Sequence, residues 1–287
     1  MLKIESDHFL VTINPKGAEL TQITDKKKER DYLWQGTAWK RHAPILFPSI
    51  GRSNDDHYLI DQKEWPMPQH GFARDYDWTV VEQTATEITL SFVGNHETAT
   101  LFPFKYTLQV TYVLTATGLN CHYEVINNDQ QAISFALGSH PGFNVPLVPD
   151  TKFDDYYLDF GEAAELATYL IDPAPFRSGQ RGRLALEAGQ LALNHRLFDK
   201  GLILFDRPST TVTLRNRKTT DSISLKTADF PYMALWTLEN QTEDFLCIEP
   251  FAGLPDQYGQ QQAINTKLGN QTVEVSQRQQ FDYQMIF

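Results

Sequence analysis

Lys105–Asp129 reads KYTLQVTYVLTATGLNCHYEVINND. Apolar and polar side chains alternate through Tyr106–Leu114 and again through Leu119–Val125. Alternation with a period of two puts every second side chain on one face, so each run is a half-buried strand, and the T-A-T-G between them supplies a hairpin turn. Toward the N-terminus, TEITLSFVGN repeats the pattern over Glu87–Val93, preceded by Trp78–Val81. FLVTINPKGAELTQITDKK gives two more strands joined at Pro15-Lys16-Gly17. Toward the C-terminus come Ile133–Leu137, Gly201–Asp206, Thr211–Arg215, Ser222–Thr227, Met233–Leu238, Phe245–Glu249, Gln271–Val275 and Phe281–Ile286. Helical periodicity is scarce: short stretches from Asp154-Asp155 onward, at Leu191–Leu197 and from Ile264 onward are its best candidates. Many strands without βαβ alternation or a short repeat predict an all-β antiparallel sandwich. No linker interrupts residues 1–287, which are expected to form one domain. Val148 to about Leu193, with Asp172-Pro173-Ala174-Pro175 and the basic residues Arg177, Arg181 and Arg183, is the least regular part and reads as a long excursion over one face.

Composition narrows the function. The chain has 287 residues, 41% hydrophobic and 21% charged, enough for a sizeable core in a soluble globular protein. A net charge of −11, with no basic cluster beyond Lys26-Lys27-Lys28, argues against nucleic acid. MLKIESDHFLVTI enters alternation at once, so neither a signal peptide nor a membrane span is expected. The two cysteines, Cys121 and Cys247, lie in strand-like runs and read as reduced core residues of a cytoplasmic protein, not a metal or disulfide framework.

Four stretches break the strand pattern with chemistry. PILFPSIGR ends in Arg52; PQHGFARDYDW carries His70 and Arg74; GSHPGF sets His140 between a strand end and the rigid Pro141-Gly142; CIEPFAGLPD brings Glu249 out of an apolar run and stops it at Pro250. Gly and Pro around a histidine fix an irregular backbone that presents the ring at the mouth of a strand. With an ordinary pKa of about 6.5, such a ring can give or take a proton near neutrality. A carboxylate at the end of a buried strand is costly unless something pairs with it or uses it. Each residue also has a plain structural reading: Arg52 as a loop cation, Arg74 paired with Asp75 or Asp77, Glu249 salt-bridged at a sheet edge, His140 bonded to its own turn. Offered together by Gly/Pro-flanked loops, they point to a site.

The set GR, HGFAR, SHPGF and IEPFAG, in this order over most of the chain, resembles the aldose 1-epimerase (galactose mutarotase) superfamily, and within it the LacX-like branch. The resemblance implies a large antiparallel β-supersandwich with a sugar cleft on one sheet. It implies that Arg52 binds sugar, that His70 and His140 are the two site histidines, and that Glu249 is the general base. A further sugar-binding aspartate falls at Asp199 or, in an equally good alignment, at Lys200.

Those residue types suit the chemistry on their own terms. Interconverting anomers requires a proton taken from the C1 hydroxyl and one given to the ring oxygen, then rotation about C1–C2 and reclosure. A carboxylate and a histidine on opposite sides of the sugar can exchange these roles, each contributing about 10²–10⁴-fold. Glu249 is therefore expected as base on O1 and His140 as acid on O5, with His70 and Arg52 holding the ring oxygen and neighbouring hydroxyls. No cofactor and no metal is called for; the partner is a small-molecule sugar, and a homodimer is compatible with the reading. Arg74 and Arg177–Arg183 could meet a phosphate, so galactose, glucose and their 6-phosphates all stay open. A non-catalytic carbohydrate-binding protein would use the aromatic residues Trp236, Phe143 and Tyr232 without needing Glu249. A glycoside hydrolase would need a second carboxylate, for which Asp229 is the candidate.

Overall fold

The computed structural model describes residues 1–287, and it contains strands and single 3₁₀ turns with no α-helix. The Lys105–Asp129 stretch forms the hairpin Tyr106–Thr115 with Gly118–Asn127, in register from Tyr106↔Asn127 to Thr115↔Gly118. Its inward residues Leu108, Val110, Tyr112, Leu119, Tyr123 and Val125 are buried, as the alternation requires. This hairpin lies within a nine-stranded antiparallel sheet. On one side it is flanked by Glu87–Val93 and Thr79–Gln83, and on the other by Arg278–Ile286, Ser222–Lys226 and Thr211–Asn216.

A second, eight-stranded sheet faces it. Its central strand, Phe245–Ala252, pairs with Tyr232–Trp236 on one side and with both Leu137–Ser139 and Gly142–Asn144 on the other. A four-stranded sheet over Leu2–Asp31 packs beside them. One cluster of 61 buried residues draws on all three sheets, so the apolar core is continuous. Phe245–Ala252 is buried throughout, yet its two faces differ. Leu246, Ile248 and Ala252 enter that core. Phe245, Cys247, Glu249 and Phe251 alternate onto the opposite face.

Three expectations need correction. Val148–Leu193 is not an irregular excursion: Tyr156–Asp159 and Gln190–Ala192 extend the nine-stranded sheet, and Glu165–Ile171 with Arg177–Ala185 forms the edge of the other. The edge strand RSGQRGRLA has solvent on most of its side chains, which removes the apolar alternation that would betray it. The helix candidates are only 3₁₀ turns, at Phe153–Asp155, His195–Phe198 and Ile264–Thr266. The strand expected over Ile133–Leu137 breaks at Ala136: Ile133–Phe135 pairs with Gln271–Val273, and Leu137–Ser139 changes sheet.

Candidate active site

The break between Leu137–Ser139 and Gly142–Asn144 leaves His140 and Pro141 outside the ladder while both flanking strands stay hydrogen-bonded. The backbone N–H of His140 donates to Pro44 O (3.1 Å) and that of Gly142 to His42 O (2.8 Å), which fixes the ring's origin. Its Nε2 lies 3.1 Å from Glu249 Oε2, with both side chains more than nine-tenths buried. Opposite Glu249 in the neighbouring strand stands Ala234, whose small side chain leaves room beside the carboxyl.

His70 reaches the same place by a strained backbone. It has φ +66°, followed by Gly71 at φ +70°, a region rarely occupied by a residue with a side chain. A Cβ at Gly71 would stand 2.1 Å from Phe47 O, so only glycine permits the turn. The backbone of His70 donates to Gly51 O (2.7 Å), and Gly51 N–H donates to His70 Nδ1 (3.2 Å). Two of the sequence stretches, PILFPSIGR and PQHGFAR, are thereby tied to each other. The His70 and His140 rings meet edge to face with centroids 5.6 Å apart.

These residues line a cavity of about 380 Å³, with Arg74, Trp236 and Gly51 on its walls. Burial pushes the His140 imidazole down to about 3, assisted by the Arg74 cation, and pushes the Glu249 carboxyl well above its ordinary range. Burial, then His140 and Arg74, holds His70 well below the usual histidine value. Separated charges are disfavoured here, so the pair holds one proton between Oε2 and Nε2. The two side chains expected as acid and base on opposite sides of a sugar lie in direct contact with each other.

Arg74 is half-buried and donates from Nη2 to Gln69 O (2.7 Å), while its Nε is buried without a hydrogen-bond partner. Asp75, one of its expected partners, is 3.9 Å away and is engaged by Arg41 at 2.5 Å. A cation on the cavity wall is suited to sugar oxygens or developing negative charge. Trp236 donates its indole N–H to Glu239 (3.0 Å), which also lines the cavity.

Two residues expected at the site do not line the cavity. Arg52 does not line the cavity, although Gly51 beside it does; its guanidinium is exposed and doubly bonded to Asp56 at 2.8 Å. Asp199 closes the 3₁₀ turn His195–Phe198 with an exposed side chain, and Lys200 lines a separate groove instead. Phe143 is fully buried in the core, and Tyr232 and Asp229 do not line the cavity. Of the basic residues once open to phosphate, Arg177 donates to Pro255 O, Arg181 pairs with Asp206 and Arg183 with Glu165.

Sequence reasoning missed Trp39. It stacks on His140 at 5.0 Å, lies parallel to Phe245 at 5.7 Å and meets Trp236 edge-on at 5.7 Å. Its segment, QGTAWKRH, has neither periodicity nor motif, and only tertiary packing brings it to the site. Glu239 was missed for the same reason; Gln69 lies inside PQHGFARDYDW but was passed over for His70 and Arg74.

A family model described as Aldose 1-epimerase matches residues 1–264. The chain belongs to the aldose 1-epimerase family. Within reach of this family chain is the plasmid-encoded Protein LacX of Lactococcus lactis subsp. lactis, 30% identical over 272 residues and covering 88% of each chain. Among solved structures, a galactose mutarotase-like protein from Lactobacillus casei is 42% identical with a TM-score of 0.94, covering 100% of this chain and 99% of the other. A galactose mutarotase related enzyme from Lactobacillus acidophilus is 28% identical with the same TM-score, covering 99% and 96%. The expected galactose mutarotase-like sandwich is the fold of this aldose 1-epimerase family member. No helix in it is long and apolar enough to cross a membrane.

Proposed function

We propose that this family member is a mutarotase acting on a hexose, with Glu249 as base on O1 and His140 as acid on O5. The observation that carries the reading is the buried 3.1 Å contact between Nε2 and Oε2 on the floor of the cavity. O1 and O5 of a pyranose are both bonded to C1, so a proton exchange between them calls for an acid and a base close together. One proton on the pair is the right complement. Its transfer from Oε2 to Nε2 yields carboxylate and imidazolium without involving solvent. The carboxylate then takes the O1 proton as the imidazolium protonates O5, and the C1–O5 bond opens to the aldehyde. After rotation about C1–C2 the same two transfers run backwards and restore the pair. His70 and Arg74 hold the ring oxygen and adjacent hydroxyls; Trp39 and Trp236 offer apolar surface to the C–H face of the sugar.

The test is anomer exchange, followed by NMR or polarimetry, on galactose, glucose and their 6-phosphates. Acceleration over buffer for at least one sugar is expected. Tight binding of a sugar with no acceleration would replace this reading with that of a carbohydrate-binding protein.

A further inference from the structure

A third buried side chain, next to the His140–Glu249 pair but not itself lining the cavity, is not used by the proton chemistry. Cys247 and Glu249 stand two residues apart on one strand, so their side chains point to the same face. Across the ladder from Cys247 is Gly142, where a Cβ would come within 3.3 Å of the sulfur. A ring nitrogen of His140, the Cys247 sulfur and a Glu249 carboxylate oxygen all lie within 4.8 Å of one another, and all three residues are buried. His140 Nδ1 is buried without a hydrogen-bond partner, and Cys247 is a free thiol.

Thiolate, imidazole and carboxylate are the donors that zinc and its softer relatives take. Metal–donor distances of about 2.0–2.3 Å put the donors of a four-coordinate site roughly 3.3–3.7 Å apart. The His140–Glu249 separation of 3.1 Å is close to one such edge. From its upper bound of 4.8 Å the sulfur has at most about 1.5 Å to close. Charge agrees as well: a dication with one thiolate, one carboxylate and a neutral imidazole sums to zero, which a buried site beside the Arg74 cation tolerates.

We propose that His140, Cys247 and Glu249 form a capture site for Zn²⁺ or Cd²⁺, with the remaining coordination position open to the cavity. On binding, the thiol and the His140–Glu249 pair each release one proton to solvent, and three metal–ligand bonds replace them. The metal-bound form cannot pass protons between sugar oxygens, so capture and turnover exclude each other.

The experiment titrates Cd²⁺ into the whole chain and follows the ultraviolet thiolate-to-cadmium charge-transfer band, a readout that needs no sugar. A band saturating at one equivalent, lost in Cys247→Ser or Cys247→Ala and retained in Cys121→Ser, is expected. On the wild-type protein the cadmium-113 chemical shift should report a single sulfur ligand. Absence of a band, a band that survives Cys247→Ser, or a shift without sulfur overturns the proposal. If mutarotation is found, stoichiometric Zn²⁺ should abolish it reversibly with chelator, and Cys247→Ser should keep basal turnover while losing that sensitivity. Since the cadmium band is read without substrate, failure of the mutarotase reading leaves this test standing.

Discussion

The indole of Trp39 lies against the face of the His140 imidazole, ring centroids 5.0 Å apart and planes 29° from parallel. The ring assigned the acid role is thus held by a residue from a loop with no regular structure. An aromatic pair of this kind is worth about 0.5–1.5 kcal/mol beyond its buried area. Trp39→Ala should lower kcat/KM by up to about tenfold, with part of the loss in KM, because the sugar-facing wall goes too. Trp39→Phe should recover most of it. Equal, undiminished rates in both variants would remove Trp39 from the site.

Glu249→Gln preserves shape and removes the proposed base. Turnover should fall by about 10²-fold or more with sugar binding largely retained. A buried carboxyl held well above its ordinary range loses stability to the unfolded chain as pH rises past about 4.5, where the unfolded carboxyl ionises first. At neutral pH, then, the melting temperature of the Gln variant should match or exceed that of the wild type. A clear drop in melting temperature with normal specific activity would make Glu249 a structural residue.

The pH–rate profile should lack the limb near 6.5 that an ordinary histidine gives. The proposed mechanism needs one proton on the His140–Glu249 pair, and the second is refused until pH falls toward about 3. Stability carries the same sign. Between about 6.5 and 3 the unfolded chain binds the proton that folded His140 refuses, so stability falls as pH drops through that window. His140→Asn should flatten the slope in thermal melts collected across this range. An unchanged slope would show that other groups dominate the acid side.

Lys267 Nζ lies 2.6 Å from Asp256 Oδ1, both side chains almost wholly buried, and also bonds Ser53 Oγ at 3.1 Å. Asp256 accepts from the backbone N–H of Asn54 as well, so the pair ties the segment after Arg52 to the segment after Pro255, both next to cavity walls. Removing one partner of a buried pair costs about 3–5 kcal/mol. Lys267→Met should lower the melting temperature sharply, whereas replacing both partners by apolar residues should recover much of the loss. Equal destabilisation in the single and double variants would argue against a coupled pair.

Much of the fold was legible because half-buried strands write their faces into the chain, as Tyr106–Thr115 does residue by residue. Legibility failed where burial does not alternate. Arg177–Ala185 is an edge strand with solvent on most of its side chains, and the prolines at 173 and 175 hid its start. At the site, His70, His140 and Arg74 were readable because glycine and proline mark where a backbone leaves the ladder to present a side chain; Glu249 was readable as a carboxylate in an apolar run, although its strand runs on through Pro250 to Ala252 and does not stop there. Arg52 and Asp199 carried similar motif signals, but side-chain direction depends on tertiary partners: Asp56 draws one guanidinium outward, and a 3₁₀ turn leaves the carboxylate in solvent. Trp39 had no local signal at all.

Arg278–Ile286 lies inside the nine-stranded sheet, between Ser222–Lys226 and Gly118–Asn127, and Tyr283 Oη is 2.9 Å from Ser139 Oγ, one residue from His140. On the ribosome, every residue that lines the cavity is made before this strand emerges. Until then the sheet is split down the middle, with the long edge of Gly118–Asn127 and the short edge of Ser222–Lys226 unpaired, and such edges invite strands from neighbouring chains. A nascent chain stalled short of residue 278 would carry all of its candidate catalytic side chains and no closed sheet to hold them.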